Sequence, residues 1–517
     1  MEPVPPVIKT RRESDGRGRD FTFSRSRISE MEGPIRGVRT SRGLWMDDGK
    51  SKFLLAKKFN SRSARCGTNG FAMITPPTGQ GQTATRQTGL VRAIGRWSLA
   101  ALAVNSIIGS GIFGLPATVA GLLGKRSVLA VLLAGAAMGV IMACFAEVAS
   151  QFSEAGGPYL YARTAFGRLT GILVGWMLYL SQTAAPAANA NLFVIYLAEF
   201  WPAAKSPWPR FLILTVLVGV LAGINLLGTR QGTAVSNLFT VAKLLPLLMV
   251  ISAGAAVAVI HPAPWGAAAS LPATVWMKAM VLLIFAYGGF ESALAPMSEA
   301  KNPARDAAFA LFVALIACTL IYTLVQWVVV GVLGPGATTD RPLAEVARFT
   351  MGNRGAALVA LGALVSVWGY LSAKMLAMPR VTFGLAKEGD LPSLFGAVGS
   401  GSHTPWFSIL FYAAAVYGLA LVGSFAWNVT LSVVARLFYY AVVCAALIAL
   451  RRKRTASVGF RLPAGYLLAV LGIAIAVVLG VAAQISKQVD WGKSAILGAT
   501  VAAALMNWVW ARPRRAG

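Results

Sequence analysis

Twelve stretches of this chain stay apolar for roughly 20 residues each, the length of helix needed to cross the hydrocarbon of a bilayer. They cover about 97–121, 127–151, 169–199, 210–228, 233–260, 274–298, 306–333, 354–380, 405–425, 428–450, 463–485 and 494–511. No other feature restricts the fold as much. Hydrocarbon offers no hydrogen-bond partner, so a spanning backbone must satisfy itself within a helix or a closed barrel. The runs are continuously apolar and do not alternate, which selects helices. Composition agrees, with 13% of residues charged against about 25% in soluble domains. The expected fold is an all-α polytopic membrane protein with about 12 transmembrane helices.

The formal charge is +28, and residues 1–90 hold about a third of the excess, with 17 Lys/Arg against 8 Asp/Glu. This Arg-, Ser- and Gly-rich stretch has no apolar period and no secretory signal segment, so it reads as a disordered basic N-terminal tail. Met73 precedes a short polar lead into the first apolar run, which makes residues 1–72 an expected over-extended start. Residues 91–517 form the membrane domain. Most other basic residues flank apolar runs, an orientation signal that argues against nucleic-acid binding. With the N-terminus inside, the short loops carry Lys/Arg at about two to one in favour of the inside. Both termini are therefore expected on the cytoplasmic side of a bacterial-type inner membrane, with lipid as the surrounding partner.

Cys66, Cys144, Cys318 and Cys444 show no CxxC spacing, and His261 and His403 stand alone, so neither a metal site nor another cofactor is expected. No nucleophile–base pair or phosphate loop appears. The stretch GSGIFG begins like a dinucleotide fingerprint but lacks a preceding strand and a ribose-binding acid. An enzyme is not expected.

Two of the twelve runs are interrupted at their middle. Residues 105–116 read NSIIGSGIFGLP, and residues 285–292 read FAYGGFES. Glycine weakens a helix and proline breaks one, at a high cost in hydrocarbon. The interrupted runs are the first and the sixth, five spans apart. Matched Gly-broken helices in corresponding halves point to a binding site between inverted repeats. Other glycines suit plain helix packing, notably Gly139 in the second run and Gly171 with Gly175 in the third.

At these residues the chain resembles the amino acid/polyamine/organocation permeases. GSGIFGLP (109–116) matches the first-helix motif, and EAGGPYLYARTAFG (154–167) the loop between the second and third helices. FAYGGFESALAPMSEAKNPARD (285–306) matches the unwound sixth helix, and PRVTFGLAKEGDLP (379–392) the loop after the eighth. The resemblance runs from about residue 88 to the C-terminus. It implies a five-plus-five inverted repeat with broken helices 1 and 6. Core helices would occupy about 97–450, and two accessory helices about 463–511. It further implies a secondary transporter moving amino acids or related amines by alternating access. Proton-coupled symport is the leading expectation, and exchange or export of the arginine/agmatine or polyamine type is the alternative. A non-transporting sensor would have no need of two intact breaks.

A zwitterion crossing hydrocarbon needs partners for both charges. A broken helix supplies free amides and a positive dipole end to a carboxylate, and unwound carbonyls to an ammonium. The expected carboxylate donors are the amides of Ser110, Gly111 and Ile112 and the Ser110 hydroxyl. The expected ammonium acceptors are the carbonyls of Ile107, Ile108, Phe285, Ala286 and Gly288. These are the family's positions at the substrate backbone. Phe285 sits where the family has an aromatic gate, and Tyr287 is a second pocket aromatic.

Five ionisable residues inside apolar runs stand out. Glu291, just past the sixth-helix break, is a functional candidate by depth alone, and also a candidate helix cap. The resemblance ties an acid here to proton dependence in arginine/agmatine-type exchangers. Lys243, in SNLFTVAKLLPLL (236–248), lies too deep to snorkel easily. The resemblance implies that its ammonium replaces a sodium ion between the first, fifth and eighth helices. Lys374 lies within reach of the cytoplasmic end and is expected to snorkel. Arg436 is expected to line the interior, and Glu147 to be structural. Ala184, Ala185, Ala187, Ala188, Ile107 and Phe285 favour a neutral substrate.

Overall fold

A computed structural model describes residues 95–510 except 153–155, 229–232, 261–270, 335, 337, 388, 400–403 and 454–458. The N-terminal tail, Cys66, Glu154, His261 and His403 lie outside the described residues.

Helices dominate, and no strand occurs among the described residues. The first span is divided into α1 (Arg96–Ile107), α2 (Ser110–Gly114) and α3 (Pro116–Leu123). α4 (Ser127–Ala149), α5 (Gly157–Phe166), α6 (Arg168–Leu197), α7 (Pro207–Leu226), α8 (Thr233–Ile260) and α9 (Ala273–Tyr287) follow. A 3-10 helix, Phe290–Glu299, follows α9. The chain continues through α10 (Pro303–Leu333), α11 (Pro342–Lys387), α12 (Trp406–Val422), α13 (Phe425–Lys453), α14 (Gly465–Ile485) and α15 (Trp491–Trp510). Proline sits in the first turn of α3, α5, α7 and α10, where its missing N–H is no loss.

Among the described residues, nine stretches have the length and hydropathy of a membrane span. The other expected spans are α12, which is apolar but only 17 residues long, and α6 and α15. α6 is diluted by Gln182, Asn189 and Asn191, all buried against protein and not facing lipid. The twelve apolar runs thus each meet a helix.

Three local expectations need correction. Most of residues 154–167, read as a loop, is the helix α5, begun by Pro158 and stopped at Gly167 (φ 92°). Its short amphipathic turns are too polar to register as a span. The eighth span starts where expected, just past the non-helical Gly352 (φ 71°) that separates it from a preceding helix beginning at Pro342, but it runs on beyond 380 to Lys387. The second half of the sixth span is a 3-10 helix and not an α-helix.

Neighbouring helices follow a rule of exchange. Number the spans one to ten, with α6 third, α8 fifth, α11 eighth and α13 tenth. The third packs extensively on the tenth, and the fifth on the eighth. Shifting each number by five converts one pair into the other. The first–seventh pair (α1 with α10) and the sixth–second pair (α9 with α4) exchange in the same way. Five is odd, so the second set of five enters from the opposite face, as an inverted repeat requires. The glycines read as packing surfaces do pack. A Cβ on Gly139 would lie 3.1 Å from Leu315 of α10, and one on Gly171 2.7 Å from Arg163 of α5. α14 packs on α13 and α4. Glu147 of α4 pairs with Arg451 of α13 at 2.6 Å and accepts from the Leu462 amide at 2.8 Å. This tie anchors the chain just before α14, so Glu147 is structural.

Candidate functional site

The first break is made by two residues. α1 ends at Ile107, Ile108 is extended, and Gly109 (φ −129°, ψ −149°) leads into Ser110. α2 begins a fresh helix, so its first amides, those of Ser110, Gly111 and Ile112, have no partner within it. All three residues are buried. The Ser110 hydroxyl is buried with no hydrogen-bond partner. An unpaired buried hydroxyl is costly, which is how a site waiting for an acceptor looks.

The second break follows Tyr287. Gly288 is extended, and Gly289 (φ 110°) takes a conformation that favours glycine. Gly289 donates its N–H to Glu291 Oε2 at 3.0 Å, so the carboxylate caps the turn. The same carboxylate accepts from the Tyr439 hydroxyl at 2.5 Å and from Gln182 Nε2 at 3.3 Å. Capping and a charged network coexist at one residue.

The two breaks lie against each other, and glycine permits it. A Cβ on Gly111 would stand 2.7 Å from Ala286 Cα, and one on Gly289 2.3 Å from the Ser106 carbonyl oxygen. Tyr322 of α10 spans the junction. Its hydroxyl lies 3.1 Å from the Ile107 carbonyl and 2.9 Å from the Ala286 carbonyl. Phe285 O accepts from the Gly288 amide at 3.1 Å and from Arg436 Nη1 at 3.4 Å. Lys243 donates to the carbonyls of Asn105 (2.8 Å) and Ile108 (3.0 Å), the last turn of α1. The structure therefore brings all ten sequence-derived candidates to one junction. The carbonyls of Ile107, Ile108 and Ala286 each accept one of these bonds and that of Phe285 accepts two, and a carbonyl has two lone pairs.

Two expectations fail here. Lys374 does not snorkel. It is buried in α11 with Nζ 2.7 Å from Gln182 Oε1 and 2.7 Å from Ser292 Oγ, because its face of α11 meets α6 and the sixth-span turn. Tyr287 is no pocket residue, since its hydroxyl donates to the Val131 carbonyl of α4 at 3.0 Å. Arg436, expected inside, gains its partners: Nε donates to Ser181 Oγ at 3.1 Å and lies 3.6 Å from Glu291 Oε1. Its guanidinium carbon sits 5.7 Å from the centroid of the Phe285 ring.

A cavity of about 810 Å³ leads to this cluster, within the range of small-molecule sites. Gln182, Glu291 and Ser292 line it, and so do Tyr159, Arg163, Arg380 and Asp390. It therefore runs from the sixth-span turn to the face carrying α5 and the segment after α11. At its mouth, the buried carboxylate of Asp390 accepts from Tyr159 (2.9 Å) and pairs with Arg168 (3.0 Å) and Arg163 (3.8 Å). On the other side, α2 and α3 are tied down. The Tyr196 hydroxyl donates to Phe113 O at 2.8 Å, and Gln326 donates to Pro116 O at 3.0 Å. Beyond them Arg348 and Arg341 both pair with Glu199, at 2.5 and 3.2 Å.

Sequence reasoning missed Tyr322, Gln182, Ser292, Tyr439 and Asp390 as partners. Ser292 and Asp390 lie inside quoted motifs that gave them no role, and Tyr322, Gln182 and Tyr439 are common residue types in helices with no motif of their own. Only the fold brings them together.

A family model described as amino acid permease matches residues 94–505. Among curated proteins, the chain is 28% identical to a methylthioribose transporter of Bacillus subtilis over 72% of this chain and 84% of that one. It is 30% identical to cationic amino acid transporter 9, chloroplastic, of Arabidopsis thaliana, over 63% of this chain and 60% of that protein. It is 28% identical to the serine/threonine exchanger SteT of Bacillus subtilis, over 66% of this chain and 79% of that one.

Proposed function

The chain belongs to the amino acid permease family, and from that premise we propose that it carries amino acids across a cytoplasmic membrane by alternating access, coupled to protons. The observation that carries the reading is the buried, unpartnered Ser110 hydroxyl at the first break, beside three amides at the start of a new helix. Ser110, Gly111 and Ile112 hold the substrate carboxylate. The carbonyls of Ile107, Ile108, Ala286 and Gly288 hold its ammonium, that of Phe285 joins them where Arg436 releases it, and the Phe285 ring lies over it. Amino acid names among the relatives support the substrate class.

Coupling rests on Lys243 and Glu291. Lys243 puts a cation on the end of α1, where its charge and a metal ion's are interchangeable. A proton leaving or joining it alters how firmly α1 is held. Glu291 ties the sixth-span turn to α6 and α13. With the α5 face on the cytoplasmic side, as the bias of basic residues favours, the cavity is the inward path and the Asp390 cluster its inner gate. Arg341, Arg348 and Glu199 close the outer side.

The test is uptake of a panel of labelled amino acids into proteoliposomes, with and without an imposed pH gradient. Accumulation driven by an acidic exterior supports proton symport. Uptake that needs a preloaded amino acid and ignores the gradient replaces symport with exchange. Failure of every amino acid overturns the reading.

A further inference from the structure

The junction carries more buried positive charge than negative. Lys374 is held by Gln182 Oε1 and Ser292 Oγ, both neutral. Arg436 is held by the Ser181 hydroxyl, the Phe285 carbonyl and Glu291. Glu291 is the one carboxylate ion-paired at this cluster among the described residues, and it already accepts from Tyr439, Gln182 and the Gly289 amide. Within this cluster two cations face one carboxylate, which already accepts three hydrogen bonds; Lys243, the third buried cation at the junction, is held apart from them by the carbonyls at the end of α1. A buried charge without a counter-charge is costly in a membrane interior, so such a residue is a functional signal.

The cavity reaches the partners of these cations. Gln182, Glu291 and Ser292 line the cavity, and two of them hold Lys374 or flank it directly. Aromatic rings fix both cations beside the breaks. The Lys374 ammonium lies 5.5 Å from the Tyr370 ring centroid, and the Tyr370 edge would stand 3.8 Å from a Cβ on Gly109. Arg436 lies over Phe285, and its Nη1 fills the space that a side chain on Gly288 would take.

Resting on the reading of this chain as an amino acid carrier, we propose that its substrate is a dicarboxylic amino acid whose side-chain carboxylate binds between Lys374 and Arg436. The second carboxylate balances this cluster, with Lys374 and Arg436 set against Glu291 and the substrate side chain; Lys243 lies outside it, on the Asn105 and Ile108 carbonyls. A cationic side chain would meet two like charges and find Glu291 taken, which separates this chain from what the names of its plant relatives state of them. A neutral side chain would leave the extra cation unanswered.

The test is binding to the purified full-length protein, followed by thermal shift and calorimetry. The probes are aspartate, glutamate, asparagine, glutamine, serine, leucine, arginine and sodium chloride. The expected result is that aspartate or glutamate binds at least tenfold tighter than its amide. Lys374→Gln should weaken the acidic ligand about tenfold or more, as loss of a charged hydrogen bond does, while the amide holds or improves. Preference for neutral or cationic amino acids overturns the inference and leaves the carrier reading standing. So does equal acidic affinity in Lys374→Gln, or protection by chloride alone. No binding by any amino acid overturns both.

Discussion

Replacing Gly111 by alanine puts the close approach of the two breaks to the test. The added Cβ would lie 2.7 Å from Ala286 Cα and 3.0 Å from Ala286 Cβ. Carbon atoms at rest stand about 3.5–4.0 Å apart, so the first and sixth spans must part by roughly 1 Å. No rotamer can relieve the clash, because the nearest neighbour is backbone. Overpacking of this kind costs about 1–3 kcal/mol. Displacing the binding atoms by about 1 Å lowers a geometry-dependent rate by up to ~100-fold. The assay is initial uptake in proteoliposomes, paired with a melting curve in detergent. Gly121→Ala in α3 is the control, since nothing lies within 4 Å of its added Cβ. It should keep full uptake and melt no lower. If Gly111→Ala melts and transports like the parent, the close packing of the breaks is not what places the site.

Lys243→Ala removes two bonds to the end of α1 and should abolish uptake or its dependence on pH; normal uptake with an unchanged pH profile counts against the coupling role. Glu147→Gln should act on stability alone. Its partner Arg451 is left without a buried counter-charge, a loss of about 3–5 kcal/mol, so the melting midpoint drops while KM of the folded fraction stays put. Asp390→Asn frees Arg168 and Arg163 at the cavity mouth and should raise labelling of a cysteine placed at Ser292 by an impermeant thiol reagent; unchanged labelling excludes Asp390 as a gate.

The spans were readable because hydropathy is local, and each apolar run needs only its own residues to be recognised. The breaks were readable for a related reason. GSG and GGF mark places where the backbone departs from a helix or passes close to another chain segment, and Gly289 and Gly111 meet those two needs. Lys243 could be singled out by depth, although its carbonyl partners lie more than a hundred residues away. Lys374 was misread because depth was judged along the helix axis. What decided its fate was the face of α11 it occupies, which turns toward Gln182 and Ser292. Arg436 and Glu291 could each be suspected, but their pairing is set by how α13 crosses the sixth-span turn. Tyr322 carried no signal at all. A tyrosine in an apolar helix is ordinary until two broken helices present their carbonyls to it.

Affinity and stability measured together on Ser110→Ala test the central claim most directly, that the first break is an open binding site. The hydroxyl has no partner in the protein, so its removal should leave the melting midpoint unchanged or slightly higher. Losing a hydrogen bond to a charged carboxylate is worth about 1.5–3 kcal/mol. Affinity for the transported amino acid should therefore fall about tenfold or more. An unchanged affinity, or a lower midpoint with affinity intact, would place the substrate elsewhere and make the break a structural feature.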